Sequence, residues 1–160
     1  MFDTRNDLPA RVREQVAELL NARLADAIDL GAQSKYAHWN VKGPNFIALH
    51  ELFDKVAESI EEQIDTIAER ITALGGRAHG TLAAVARTSS LRPYPEEIVE
   101  GLAHVEALSG ALADHGAKLR GAIESADRLG DADTADLFTG VSRETDKHLW
   151  FLEAHLHAKR

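Results

Sequence analysis

The feature that most constrains this chain is a set of apolar residues spaced by threes and fours: Leu49, Phe53, Val56, Ile60, Ile64, Ile67, Ile71 and Leu74. That spacing puts all of them on one face of an α-helix and fits no alternating strand. A Gly43-Pro44 break precedes the run, Asn45 is a candidate N-cap, and Gly75-Gly76 closes it, so a helix is predicted over 46–74. A helix of that length with one apolar face needs helical partners, and the chain supplies them. The first is predicted over 9–40, with Pro9 in its first turn, and buries Val12, Val16, Leu20, Leu24, Ala27 and Ile28. Gly31 and Ser34 lie further along it, where small side chains admit a close neighbour.

A third long helix is predicted over 96–129, with Ile98, Leu102, Val105, Leu108, Leu112, Leu119 and Ile123 inward and Gly130 as its left-handed cap. A fourth, over 132–157, turns Leu137, Val141, Leu149 and Leu152 to the core. Between Gly76 and Pro95 runs a long connection holding one short helix over 81–87, and residues 1–8 form a short N-terminal tail. Two tight hairpins joined by one long crossover make an all-α, four-helix bundle of a single domain, residues 1–160. No strand pattern and no internal repeat is present.

The second helix carries a second strip. At about 100° per residue, His50, Asp54, Asp65 and Glu69 share a face roughly 130° away from the apolar one, so they look out of the bundle. His50 and Asp54 are one turn apart, as are Asp65 and Glu69. Asp54 and Asp65 are about 16 Å apart along the axis. Bonds to a metal ion are only about 2 Å long, so no one ion joins the two pairs within a chain. A two-fold axis crossing the strip lays the His/Asp pair of one copy on the Asp/Glu pair of another. His38 stands at matching height before the Gly43-Pro44 turn, which adds a second imidazole to the first pair. Two imidazoles and three carboxylates suit Fe(II), and also Mn or Zn. Glu58 and Glu61 share the strip, and an acidic strip is also what an ordinary solvated helix face looks like. Two histidines at one height beside two i, i+4 pairs count against coincidence, and on spacing alone a metal site and a solvated face both stand.

The remaining composition narrows the classes. The apolar share is 44% without a long apolar run, which excludes a membrane-spanning helix. The first residues lack a basic then apolar leader, so a cytoplasmic location is expected. There is no cysteine, hence no disulfide and no thiolate ligand, and a net charge of -8 favours cations over nucleic acid as ligands. No Glu is followed three residues later by His, the motif that builds a di-iron site inside one bundle.

The stretch HWNVKGPNFIALHELFD, followed by DTIAERITALGG and by DTADLFTGVSRETDKHLWFLE at 133–153, closely resembles the Dps proteins, the mini-ferritins. The resemblance runs over nearly the whole chain. It implies the ferritin-like version of the four-helix bundle, a dodecameric hollow homo-oligomer, and a di-iron ferroxidase centre between subunits. In this chain the matching residues are His38, His50 and Asp54 from one copy and Asp65 and Glu69 from the other. It further implies oxidation of Fe(II), preferably by hydrogen peroxide, and storage of a ferric mineral that protects the cell and its DNA. Asp136 and Asp146 resemble acids that line a three-fold pore for Fe(II). Asp131, Asp133 and Asp136 also suit the start of a helix, where acids cap free amides. Trp39 resembles a tryptophan beside the metal centre that absorbs a stray oxidising equivalent, against a plain packing role. His155 and His157 form a tail pair without carboxylates, and His79, His104, His115 and His148 have no partner at ligand spacing.

On DNA the sequence departs from the family. Many relatives carry a lysine-rich tail; here Arg5, Arg11 and Arg13 stand against Asp3, Asp7 and Glu14, and the C-terminus offers Lys159 and Arg160. Few phosphates are neutralised per chain, so DNA binding is expected to be weak or absent, with DNA compaction as the competing reading.

Overall fold

The structure is a computed structural model that describes residues 1–157; Lys159 and Arg160 lie outside the described residues. Its helices are α1 (Ala10–Asn40), α2 (Phe46–Ala73), α3 (Leu82–Thr88), α4 (Gly101–Leu129) and α5 (Ala132–His157). α1 packs along α2 and α4 along α5, and the two hairpins close on each other through α1 against α4 and α2 against α5. The short α3 lies on α1.

Most of the predicted apolar residues pack; Ile98, which precedes the third long helix, and Leu102 are only half-buried and join neither apolar cluster. Leu49, Phe53, Val56, Ile60, Ile67, Ile71 and Leu74 are all at most 1% exposed, and Ile64 is half-buried. The core divides into two apolar clusters. One, around Leu30, Val41, Leu49, Phe53, Leu108, Leu112 and Leu152, fills the end near the α1–α2 turn. The other, around Val16, Leu20, Leu24, Ile71, Leu119 and Phe138, fills the end near the α4–α5 turn. Ile64 packs against both. Gly31 faces α2, where a Cβ would make only ordinary contact, 3.5 Å from Ile60 Cγ2.

Several boundaries differ from the sequence reading. The third long helix begins at Gly101, not Glu96. Pro93 and Pro95 hold the approach open, and the backbone before Gly101 is spent elsewhere: Lys42 N–H donates to the Val99 carbonyl, and Lys42 pairs with Glu100 in an isolated parallel bridge. Gly101 then starts α4 hard against α2, where a Cβ would come within 2.5 Å of Leu49 Cδ1. Asn45 does occupy the N-cap position of α2, but its side chain makes no capping bond. The reversal is made by Gly43 at φ 113°, whose carbonyl accepts from Phe46 N–H. The short helix starts one residue later than predicted because Thr81 is its cap, accepting from Ala84 N–H. Pro9 likewise precedes α1 rather than opening it. Residues 1–8 are not a loose tail. Phe2 N–H donates to the Gly75 carbonyl, Arg77 lies over the Phe2 ring, and Arg13 reaches the Leu8 and Leu74 carbonyls. Among the described residues no helix is long and apolar enough to cross a membrane.

Candidate metal centre

The α1–α2 turn sets His38 and His50 face to face. α1 ends at Asn40, the chain reverses through Gly43, and α2 resumes at Phe46, so residues just before and just after the turn stand at one height. Their rings stack with centroids 3.7 Å apart and planes 21° apart. Each ring is tied to the other residue's backbone: His38 Nδ1 lies 2.8 Å from the His50 carbonyl, and His50 Nδ1 lies 2.8 Å from the His38 carbonyl. A carbonyl only accepts, so both Nδ1 atoms carry protons and donate. In the neutral rings the lone pairs are therefore on Nε2. This is the second bond that orients and polarises a metal-binding imidazole. The Phe46 ring lies 5.1 Å from that of His50, tilted by 32°.

Asp54 joins them one turn along α2, with Oδ1 4.0 Å from His38 Nδ1. Its carboxylate is held by the Lys35 ammonium, one turn before His38 on α1. That hydrogen bond is the main reason the Asp54 pKa is lowered from its ordinary value, with His38 and His50 adding to the shift. Lys35 was not singled out from the sequence, although its place three residues before His38 puts it on the same face of α1.

The second pair is built differently. Asp65 and Glu69 are exposed on α2. The residue next to Glu69, Arg70, turns inward, donating from Nη2 to Asp131 Oδ1 at 2.7 Å and from Nε to Thr134 Oγ1 at 2.9 Å. Asp131 is 2% exposed and also caps α5 by accepting from Thr134 N–H. Among the described residues, no three His, Asp or Glu side chains of one chain converge on a point where a metal ion fits. His38, His50 and Asp54 are thus neighbours, and Asp65 and Glu69 stay about 16 Å and about 22 Å down the helix from Asp54.

The other flagged residues divide. Asp136 is exposed on α5 and lines a groove against α2 with Glu62, Gln63 and Glu144. Asp146 is engaged within the chain, its two oxygens 3.0 and 3.2 Å from Arg120 Nη1. Trp39 is 69% exposed, so packing inside the chain is not its role. His157 is exposed and His155 half-buried at the end of α5. His104, to which the sequence reading assigned nothing, holds a hydrogen bond to Tyr94.

By architecture this is a ferritin-like bundle, and residues 17–160 match the family model described as the ferritin-like domain. Over 156 residues the chain is 47% identical to the DNA protection during starvation protein of Agrobacterium fabrum, covering 98% of this chain and 96% of that one. The Dps of Mycobacterium smegmatis superposes with a TM-score of 0.92 at 34% identity, over 96% of this chain and 94% of that one. A Dps protein of Vibrio cholerae O1, described as belonging to a broad superfamily of ferritin-like diiron-carboxylate proteins, gives 0.90 at 25% identity over 98% of both chains. The chain belongs to the DNA protection during starvation, or Dps, family of ferritin-like proteins.

Proposed function

We propose that this protein is a ferroxidase and iron store. Fe(II) is its substrate, hydrogen peroxide its preferred oxidant, and a ferric mineral held in a hollow, dodecameric homo-oligomer its product. The observation that carries the reading is the stacked imidazole pair. Two rings pinned through Nδ1 to each other's backbone, with Nε2 left for a ligand and a carboxylate one turn away, form a prepared but incomplete donor set. A two-fold contact with a second copy completes it by adding Asp65 and Glu69, which suits the borderline N/O preference of Fe(II); Zn or Mn would compete for the same donors.

The residues then have separate work. His38 and His50 supply nitrogen donors whose orientation does not depend on the metal. Asp54 and Glu69 would hold or bridge a second ion, since a carboxylate can span two ions and an imidazole cannot. Lys35 neutralises Asp54 until a cation displaces it. Two Fe(II) ions oxidised together would give two electrons to one hydrogen peroxide, which takes two protons from solvent and leaves as two waters, with no hydroxyl radical released. Asp136 on the α2–α5 groove and Asp146 beside Arg120 are proposed to attract Fe(II) toward the interior, and Trp39 to take up a stray oxidising equivalent. Binding of duplex DNA near neutral pH and physiological salt is weak or absent, because the body is acidic and the N-terminal residues are strapped to Gly75. A salt-titrated gel shift decides between this and DNA compaction.

Mixed assemblies test the shared centre. A His50→Ala/Asp54→Ala chain and an Asp65→Ala/Glu69→Ala chain are each inactive alone. Assembled together, they regain Fe(II) oxidation at interfaces where an intact His/Asp half meets an intact Asp/Glu half. Mixed assemblies, verified by mass spectrometry, that oxidise Fe(II) no faster than either parent would place all ligands within one chain and sink the reading.

A further inference from the structure

α2 and α5 pack against each other far less closely than the members of either hairpin, and the seam between them opens as a groove of about 340 Å³. α2 lines it with Ser59, Glu62, Gln63 and Thr66, and α5 lines it with Asp136 and Arg143. Arg70, late in α2, bonds Thr134, early in α5, and the groove joins earlier residues of α2 to later ones of α5, so the helices run antiparallel. Counting seven residues along each helix from that bond brings Gln63 opposite Val141, between Asp136 and Arg143. Gln63 is 7% exposed, yet neither atom of its amide has a hydrogen-bond partner. A buried amide left so destabilises the fold through the desolvation of both its donor and its acceptor. The charges around it are uncompensated too. Among the described residues Glu62, Asp136 and Arg143 form no ion pair, whereas Glu144, also on the groove, is taken by Lys147 at 2.8 Å.

We propose that this groove binds a free basic amino acid, one molecule per chain. Two free carboxylates and one free guanidinium are complementary to two cations and one anion, the set that lysine or arginine carries at neutral pH. The ligand's α-carboxylate pairs with Arg143, its α-ammonium with Glu62, and its side-chain cation with Asp136. The Gln63 amide, turned about its end, donates from Nε2 to the α-carboxylate and accepts at Oε1 from the α-ammonium. Asp136 and Arg143 are about 10 Å apart along α5, so a ligand that reaches both is elongated, with its charges at opposite ends.

Other ligands leave part of this set unused. A metal ion needs its donors around one point, and among the described residues no three His, Asp or Glu side chains converge. A protonated polyamine offers no acceptor to Gln63 Nε2 and is repelled by Arg143. A simple anion meets two free carboxylates for one arginine. Attraction of Fe(II) by Asp136 uses the acids alone and gives Arg143 and the Gln63 amide no part. The groove's volume lies at the small end of the range for small-molecule sites, as a single amino acid requires.

Calorimetric titration of the metal-free assembled protein with L-lysine, L-arginine, cadaverine and norleucine tests the site without iron, so its outcome is separate from that of the ferroxidase reading. Lysine and arginine should bind saturably at one site per chain. Cadaverine, which lacks the carboxylate, and norleucine, which lacks the side-chain cation, should each bind at least about tenfold more weakly. Substitutions should then sort the contacts in a crossed pattern. Arg143→Gln should weaken lysine at least about tenfold without weakening cadaverine, and Asp136→Asn should weaken lysine without weakening norleucine. Gln63→Leu should weaken lysine by at least about tenfold while raising the melting temperature, because it removes a buried amide that has no partner. Loss of binding in that variant is therefore not loss of the fold. Absence of saturable binding by both lysine and arginine would overturn the proposal, as would cadaverine or norleucine binding as tightly as lysine. A folded Gln63→Leu variant with wild-type affinity for lysine would overturn it as well.

Discussion

The two ends of the bundle hold their functional residues by different means. At the α1–α2 end the hydrogen bonds that orient the two imidazoles come from the backbone: reciprocal carbonyls fix His38 and His50, and the Lys42–Val99 bond fixes the turn between them. At the α4–α5 end the bonds come from a nearly buried charge pair, Arg70 with Asp131, and Asp65 and Glu69 project from the neighbouring turns of α2. Backbone bonds survive most single substitutions. A buried ion pair fails when either member is removed, because the other is left charged without a partner. The nitrogen half of the centre is therefore preset by the fold, whereas the geometry of the carboxylate half depends on how firmly α2 is latched to α5.

Removing the latch should give the largest effect. Arg70→Ala leaves Asp131 buried and unpaired, and should destabilise the fold by about 3–5 kcal/mol. Hydrogen exchange should accelerate around the α4–α5 turn and the last turns of α2 while the α1–α2 turn stays protected. Uniform acceleration at both ends would show that they are not held independently.

Between the two ends lies His115, fully buried with neither ring nitrogen hydrogen-bonded. Burial pushes its pKa down from 6.5 to about 4, with Asp26 opposing the shift. The unfolded chain then binds a proton that the folded chain does not, so stability is complete above about pH 6.5 and falls as pH drops toward about 4. His115 alone accounts for up to about 3 kcal/mol of that loss. His104 and His148, also lowered chiefly by burial, act in the same direction. Urea titrations of His115→Gln should show a shallower slope across this window; an unchanged slope would assign the acid sensitivity elsewhere.

The smallest effect is expected at the preset end. Lys35→Met removes the ammonium from a partly exposed pair, so the melting temperature should barely move. The Asp54 pKa should rise toward the ordinary carboxylate value, read by carboxyl-carbon NMR, and the first metal ion should bind Asp54 more tightly in a calorimetric titration. A large loss of stability would mean that Lys35, and not the backbone, holds this end together.

The sequence by itself determined the helices and their inward faces, because a stripe at 3.6-residue spacing has one way to be buried. It also determined which side chains share the outward strip of α2 and that a single chain leaves them apart, since helical rise alone sets Asp54 and Asp65 about 16 Å from each other. The start of α4 at Gly101 was not legible, because the backbone of Val99 and Glu100 is committed to Lys42, 57 and 58 residues earlier. Nor was the reciprocal bonding of His38 and His50, which depends on the φ of 113° at Gly43 bringing two carbonyls and two rings into register. Lys35 on Asp54, Arg70 on Asp131 and Tyr94 on His104 are likewise decisions of tertiary structure. A periodic pattern reports which face of a helix is buried, but a polar contact between elements depends on where two side chains end in space, and no local spacing encodes that.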